Sequence, residues 1–95
     1  MYKISKTFYT DRRTETVEYD EQYATVTEAE KAREALVVEH LKELDPEFTV
    51  SLLNDEKCYV DEDYEVDMKT GTINLPAIDI RIVYDIVALV SRPVV

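Results

Sequence analysis

Residues 26–44 carry the clearest pattern in the sequence. Apolar side chains recur there at spacings of three and four residues, which is typical of one face of an amphipathic helix. Two overlapping capping boxes, 25–28 and 27–30, mark where this helix begins. Pro46 disfavours helical geometry in the residue before it, so we expect the helix to end at Leu44. The predicted packed face comprises Ala29, Ala32, Leu36, Val37, Leu41 and Leu44.

The segments on both sides of this helix alternate apolar and polar residues, as half-buried strands do. Asp11-Arg12-Arg13 is a turn between the first two such segments, which predicts an N-terminal hairpin. A second turn is expected at Met68 to Gly71, because glycine tolerates a positive φ. The predicted strands are residues 2–8, 14–19, 48–52 and 72–75, and residues 58–66 are expected to be extended.

The most apolar segment is residues 78–90, where isoleucine, tyrosine, alanine and valine occupy alternate positions. The β-branched residues favour a long strand. A helix is the alternative, because Ile78, Ile82 and Ile86 also share a helical face. The segment carries valine and leucine on its other side as well. We therefore expect this strand either to be central and covered or to lie at a homodimer interface.

These elements together predict an α+β fold. The expected architecture is an antiparallel sheet of four to five strands with one amphipathic helix, about 26–44, packed on one face, in the order ββαβββ. The chain has 95 residues, of which 45% are hydrophobic, and no stretch rich in Pro, Gly or Ser interrupts it. We therefore expect one acidic domain spanning residues 1–95.

The net charge is −10, from 21 acidic and 11 basic residues, and it is concentrated in the middle of the chain. Residues 15–67 have a net charge of −14, whereas residues 1–14 have +3 and residues 68–95 have +1. Such a surface disfavours direct binding to nucleic acid and to anionic membranes, because phosphate groups attract basic surfaces. The sequence predicts neither a transmembrane helix nor a secretory signal.

Single occurrences of three residue types limit the chemistry. Cys58 is the only cysteine, which is typical of a reducing compartment, so we expect a cytoplasmic protein. Gly71 is the only glycine, which excludes glycine-rich phosphate loops. His40 is the only histidine, and it falls between Leu36 and Leu44 on the packed helix face, where we expect it to bond to backbone. We expect no enzymatic activity, no cofactor and no metal site.

Residues 61–67 form the densest acidic run. As a strand, this run would place the carboxylates of Asp61, Asp63, Glu65 and Asp67 on one face. Their spacing resembles the opening of a calcium-binding EF-hand loop. The resemblance fails at Val66, where the loop needs glycine, and at Thr72, where it needs glutamate. A divalent-cation binder is therefore the third functional hypothesis.

Tyrosines lie among carboxylates in residues 18–23 and 59–65. Tyrosine is enriched in protein interfaces, and acidic neighbours accelerate association with a basic partner. We therefore predict a non-enzymatic protein-binding module that acts on a basic partner. The predicted partner-binding residues are Glu18, Tyr19, Asp20, Glu21, Glu34, Glu39, Asp61, Glu62, Asp63, Tyr64, Glu65 and Asp67.

The most specific form of this function is a DNA-mimic inhibitor of a nucleic-acid-binding enzyme. The chain resembles phage anti-CRISPR and anti-restriction inhibitors in size and charge only. Carboxylates on alternate strand positions lie about 6.7 Å apart, whereas duplex DNA carries one charge per ~1.7 Å. Mimicry therefore needs three regions on one convex surface, namely residues 15–21, the acidic helix face formed by Glu28, Glu34 and Glu39, and residues 61–67. The alternative is a small cytoplasmic structural or assembly subunit that self-associates or docks through its apolar strand, residues 78–90.

Overall fold

A computed structural model of the protein describes residues 1–89, which form one helix and one six-stranded sheet. Every strand pair is antiparallel, and the spatial order is β2-β1-β6-β5-β4-β3. The predicted α+β class is confirmed, with six strands in place of four to five and the order ββαββββ. The elements are β1 (Tyr2–Tyr9), β2 (Thr14–Glu18), α1 (Val26–Leu44), β3 (Cys58–Val60), β4 (Glu65–Asp67), β5 (Thr72–Leu75) and β6 (Ile80–Ala88), with short 3-10 helices at Val50–Leu52 and Pro76–Ile78.

α1 has the predicted bounds, and the earlier of the two capping boxes starts it. The hydroxyl of Thr25 accepts a hydrogen bond from the amide of Glu28, at 3.2 Å. The Glu28 carboxylate in turn accepts from the amide of Ala24, at 3.3 Å. Two amides near the helix start are thereby satisfied by side chains, which favours this start over one at Thr27.

The helix covers one face of the sheet and leaves the other face open. Even-numbered residues of β1 and β6 face α1, and odd-numbered residues face away, because side chains alternate along each strand. The most apolar strand, β6, lies between β1 and β5, so the strand predicted at 78–90 is central in the sheet. It begins at Ile80, and residue 90 lies outside the described residues. The core comprises Ile4, Val37, Leu41, Phe48, Tyr64, Val66, Met68, Ile73, Ile82 and Tyr84.

The strand predicted at residues 48–52 is wrong. Val50–Leu52 forms a 3-10 turn whose apolar side chains are exposed, and only Phe48 reaches the core. The hydroxyls of Thr49 and Ser51 bond to each other at 2.6 Å. Local bonding by such residues competes with a strand ladder, and three alternating apolar positions are too few to prevent it.

The prediction that residues 58–66 are extended is confirmed at residues 58–60 and 65–66 and is wrong between them, where a turn separates β3 from β4. The amide of Asp61 donates to the carbonyl of Tyr64 at 2.8 Å, and the Asp61 carboxylate accepts from the amide of Asp63 at 3.3 Å. Aspartate favours turns through such bonds to nearby backbone. The four carboxylates predicted to share one strand face therefore do not, since Asp61 and Asp63 lie in the turn whereas Glu65 and Asp67 lie in β4.

The sheet has more strands than predicted because the turn at residues 61–64 separates β3 from β4. β4 then pairs with β5 across the turn at Gly71, which was predicted and is confirmed. Gly71 has a φ of 68°, and a β-carbon there would lie 2.5 Å from the carbonyl oxygen of Tyr84. Only glycine fits both constraints. No helix within residues 1–89 is long and apolar enough to cross a membrane.

Candidate functional site

A groove of about 520 Å³ lies between α1 and residues 19–23, the segment that follows β2. Its two tyrosines, with Ala32 and Leu36, are partly buried and pack against the hydrophobic core. Its three carboxylates are exposed, so they stand at the outer margin of an apolar lining. We call this feature the acidic groove. Its lining residues are Tyr19, Asp20, Glu21, Tyr23, Ala32, Ala35, Leu36 and Glu39.

Backbone hydrogen bonds hold residues 19–23 against β1 at both ends of the segment. The amide of Tyr19 donates to the carbonyl of Ile4 at 3.0 Å. Tyr23 and Tyr2 exchange two backbone hydrogen bonds, each 2.8 Å long. The residues between these anchors leave the ladder and bring their carboxylates to the side of the helix. The groove wall is therefore fixed by the sheet.

A tyrosine holds one of the groove carboxylates in place. The hydroxyl of Tyr23 donates to Oε2 of Glu21 at 2.7 Å. This bond, followed by burial and by the charge of Glu21, raises the pKa of Tyr23 above its usual 10. The tyrosine, which its ordinary pKa already keeps protonated at neutral pH, therefore keeps donating to the carboxylate into the alkaline range. A fixed carboxylate loses less side-chain freedom when a cation binds to it.

Behind the groove lies a polar contact between the helix and β6. Nδ1 of His40 is 2.7 Å from the hydroxyl of Tyr84, and the two rings meet edge to face. The packed-face position predicted for His40 is confirmed, but its partner is a side chain and not the expected backbone group. Burial raises the pKa of Tyr84, and the neighbouring Tyr19 hydroxyl raises it further. The groove tyrosine thus adjoins a group in the core.

Lys6 supplies the positive charge of this region. Its ammonium lies 4.8 Å from the centre of the Phe8 ring and 5.4 Å from that of Tyr84. Burial lowers the pKa of Lys6, and the charge of Glu43 opposes this effect. Burial, and then the charge of Lys6, lower the pKa of His40 below its usual 6.5. The imidazole is therefore predominantly neutral at pH 7.

A second acidic hollow, of about 350 Å³, lies where α1 ends. Asp45 and Glu47 line it from the helix end, and Asp61 and Asp63 line it from the turn between β3 and β4. Tyr64, which was predicted to bind a partner, is only 2% exposed. Its hydroxyl donates to Oδ2 of Asp45 at 3.0 Å. Burial, followed by this bond, raises its pKa, so Tyr64 serves packing at this site.

The remaining predicted residues lie elsewhere. Glu18, Glu65 and Asp67 belong to the open face of the sheet, because the strand register places them opposite Ser5, Asn74 and Thr72. Glu62 is exposed in the turn between β3 and β4. Glu34 is five positions before Glu39, so it lies about 140° away around the helix.

The structure thus brings together four of the predicted residues in the acidic groove, namely Tyr19, Asp20, Glu21 and Glu39. It brings Asp61 close to Asp63 in the second hollow. Residues 15–21 and 61–67 belong to opposite edges of the sheet, the first around β2 and the second around β3 and β4. The apolar lining of the groove was not predicted as part of a site. The sequence feature that could have indicated this lining is the helical spacing of Ala32, Leu36 and Glu39, which places them on one side of α1.

A third hollow, of about 410 Å³, lies at one end of the open face and was not predicted. The guanidinium of Arg81 stacks 4.8 Å from the centre of the Tyr9 ring there. Asp79, beside it, has a φ of 55°, a left-handed conformation that is uncommon outside glycine. Tyr9 in β1 and Arg81 in β6 lie opposite each other on adjacent strands. This pairing could not be predicted before the register of the two strands was known.

Neither metal binding nor thiol chemistry has a built site among the described residues. Within residues 1–89, no group of three or more His, Cys, Asp or Glu side chains is arranged to hold a metal ion. Burial, and then the charge of Asp67, raise the pKa of the Cys58 thiol. A raised pKa reduces the thiolate fraction and hence the reactivity of a cysteine.

The chemistry of the acidic groove suits a long cationic side chain. The stem of lysine or arginine is apolar, and its charged head binds carboxylates and aromatic faces.

Comparison of the chain with protein-family models, with curated proteins and with solved structures finds no match.

Proposed function

We propose that this protein is a non-enzymatic binding module that recognises a basic segment of a partner protein in the acidic groove. The observation that carries this proposal is the order of groups in the groove, with apolar and aromatic side chains inside and Asp20, Glu21 and Glu39 outside. A lysine or arginine side chain presents the matching order, with an apolar stem and a charged head.

The charge distribution supports the same proposal. Residues 15–67 carry a net charge of −14, which attracts a basic partner over distance and accelerates encounter. Within residues 1–89 there are two ion pairs, Arg13 with Glu15 and Lys69 with Glu56. Neither ion pair includes Asp20, Glu21 or Glu39, so the negative charges of the acidic groove are available to a partner.

The magnitude of each contribution decides what affinity to expect. An exposed ion pair contributes only about 0–1 kcal/mol, so three carboxylates alone cannot give tight binding. Burial of the apolar stems contributes about 25 cal/mol per Å² of apolar surface removed from water. We therefore expect moderate affinity that weakens with salt, because screening acts on the exposed charges.

Two narrower hypotheses stay predictions. DNA mimicry requires residues 15–21, the acidic helix face and residues 61–67 on one convex surface, and the two chain segments belong to opposite sheet edges. Binding of a basic segment in the acidic groove does not require mimicry. The result that would indicate mimicry specifically is displacement of a captured partner by duplex DNA. The assembly-subunit hypothesis relies on the strand predicted at 78–90, which is β6, and it predicts salt-resistant contacts through that strand.

Nuclear magnetic resonance tests the proposed function directly. The ¹⁵N-labelled protein is titrated with a short peptide of alternating arginine and leucine, and separately with the same peptide carrying glutamate for arginine. We expect shifts confined to residues 19–23 and 32–39 with the basic peptide and none with the acidic one. Shifts centred on any other surface would contradict the proposal.

Matched charge reversals separate the groove from general electrostatics. The groove variant combines Asp20→Lys, Glu21→Lys and Glu39→Lys. The control variant makes the same change in charge away from the groove and combines Glu62→Lys, Asp63→Lys and Glu65→Lys. We expect the groove variant to lose about tenfold in affinity, as three weak ion pairs imply, and the control to lose less. Equal losses would mean that net charge, and not the groove, binds the peptide.

A further inference from the structure

β2 is one of the two edge strands of the sheet, and one side of it has no partner strand within residues 1–89. All five of its residues are exposed. Because the amide of Tyr19 points to β1, the alternation of an antiparallel ladder turns the amides and carbonyls of Thr14, Thr16 and Glu18 away from β1. A row of free backbone groups of this kind is a template for another strand.

This edge lacks a bulge, a proline and a lysine, three features that prevent strands from pairing. Its pairing with β1 runs without a bulge from Thr14 to Glu18, and the segment contains no proline, lysine or glycine. Threonine and valine have high strand propensity. The two glutamates are the only charged residues, so the choice of partner depends on what they would face.

The two ends of β2 carry opposite charges. Arg12 and Arg13 precede the strand, where Arg13 pairs with Glu15 at 2.9 Å, and Asp20 and Glu21 follow it. Antiparallel pairing about a two-fold axis sets the start of one strand beside the end of the other. Two copies of this chain would therefore place Arg12 of each copy near Asp20 of the other.

We propose that β2 pairs with β2 of a second copy of this chain, antiparallel and about a two-fold axis at Thr16. In this register all five residues of both strands are paired. Glu15 faces Val17 and Glu18 faces Thr14, so no glutamate opposes another. A shift of two residues in either direction pairs only three residues, and one of the two shifts sets Glu15 against itself, which is destabilising.

The dimer is a sheet that continues through both copies, with both helices on the same side. The backbone edge that pairs in this dimer is separate from the acidic groove, although Asp20 and Glu21 take part in both. The proline and cysteine variants below change neither carboxylate, so they test the dimer without altering the groove. A contact between two five-residue strands buries less than the ~1,000 Å² of a stable interface. We therefore expect a dimer whose dissociation constant lies in the micromolar to millimolar range.

Sedimentation velocity over a range of protein concentrations tests the dimer. We expect the wild-type protein to shift from monomer to dimer as its concentration rises, and the Thr16→Pro variant to remain monomeric. Proline removes the outward amide of this residue and no backbone bond to β1, although it also removes the 3.1 Å bond between the hydroxyls of Thr16 and Thr7. Circular dichroism shows whether the fold persists in this variant. A wild-type protein that stays monomeric at millimolar concentration would overturn the proposal.

A cysteine cross-link tests the register without relying on the proline variant. Paired residues of this kind lie ~5.5 Å apart between α-carbons, within the range that a disulfide spans. In a Cys58→Ser background, Thr16→Cys should form a covalent dimer under mild oxidation. Thr14→Cys is the matched control, because the axis keeps its two copies far apart. Equal cross-linking of the two variants would refute the register.

Discussion

Two segments of this protein share one composition and differ in structure. Residues 18–23 and 59–65 both place tyrosines among carboxylates, and in each a tyrosine hydroxyl donates to a carboxylate. Tyr23 bonds to Glu21 of its own segment, at the surface. Tyr64 bonds to Asp45, which lies nineteen positions away, and is buried.

The difference shows that the position of each segment relative to the hydrophobic core, and not its composition, decides whether its tyrosine is buried or lies at the surface. Residues 19–23 are held against β1 at their two ends, and the carboxylates of Asp20 and Glu21 between these ends are exposed. The second segment folds into a hairpin whose turn directs Tyr64 under the end of α1. One tyrosine borders a groove, whereas the other joins the helix to the sheet.

The largest effect expected from this comparison is on stability. Tyr64→Ala removes a buried aromatic ring and should lower the free energy of unfolding by about 3–5 kcal/mol. Tyr23→Ala, its matched counterpart at the surface, should cost well under half as much, because that ring is only partly buried. Urea denaturation of the two variants measures both values. Equal losses would show that the two segments contribute alike to the core.

The carboxylate partners should differ in the same direction by a smaller amount. Asp45→Ala leaves the buried hydroxyl of Tyr64 without its acceptor, which should cost about 1–3 kcal/mol. Glu21→Ala removes an exposed acceptor, and we expect a change within about 0.5 kcal/mol. Combining each with the Phe variant of its tyrosine measures the coupling. A coupling for Glu21 with Tyr23 as large as that for Asp45 with Tyr64 would contradict the comparison.

Alkaline pH should reveal the smallest difference. A tyrosine whose pKa is higher in the folded than in the unfolded state contributes stability below its unfolded pKa of about 10, and loses it as the pH rises further. Burial, and then Asp45, raise the pKa of Tyr64. We therefore expect the free energy of unfolding to fall above about pH 10, and to fall less steeply in Tyr64→Phe than in the wild type.

The matched variant for this pH series is Tyr23→Phe. The pKa of Tyr23 is raised first by its bond to Glu21, at an exposed position where water screens the interaction. Its removal should change the alkaline slope less than removal of the Tyr64 hydroxyl does. Urea denaturation at a series of alkaline pH values measures all three slopes. Indistinguishable slopes in the two variants would remove the distinction between a buried and a surface tyrosine.

Sequence patterns predicted the elements whose signals were long or were reinforced by a terminal residue. The helix follows from nineteen residues of periodicity with a cap at Thr25 and a proline after its end. The strand at β6 follows from nine alternating, largely β-branched residues. Residues 48–52 offered only three apolar positions, and hydroxyl bonding between Thr49 and Ser51 accompanies a turn instead.

The candidate site was predicted only in part for a related reason. Acidic residues mark an exposed surface in any sequence, so Asp20, Glu21 and Glu39 could be named as binding residues without knowing that they meet. Glu34 has the same composition-based signal and points elsewhere, because a helix separates positions five apart. Tyr64 was predicted as a binding residue from its acidic neighbours, whereas the structure buries its ring and bonds its hydroxyl to Asp45, which is remote in the chain.

The sequence by itself determined the α+β class, the bounds of the helix, the first hairpin and the concentration of negative charge in residues 15–67. These depend on periodicity, capping and composition, which act over a few neighbouring residues. Only the tertiary structure decided that Tyr19 and Glu39 border one groove, that His40 meets Tyr84, and that β2 rather than β6 lies at an edge. Such contacts join residues far apart in the chain, and their free energy exists only once the sheet register has brought them together.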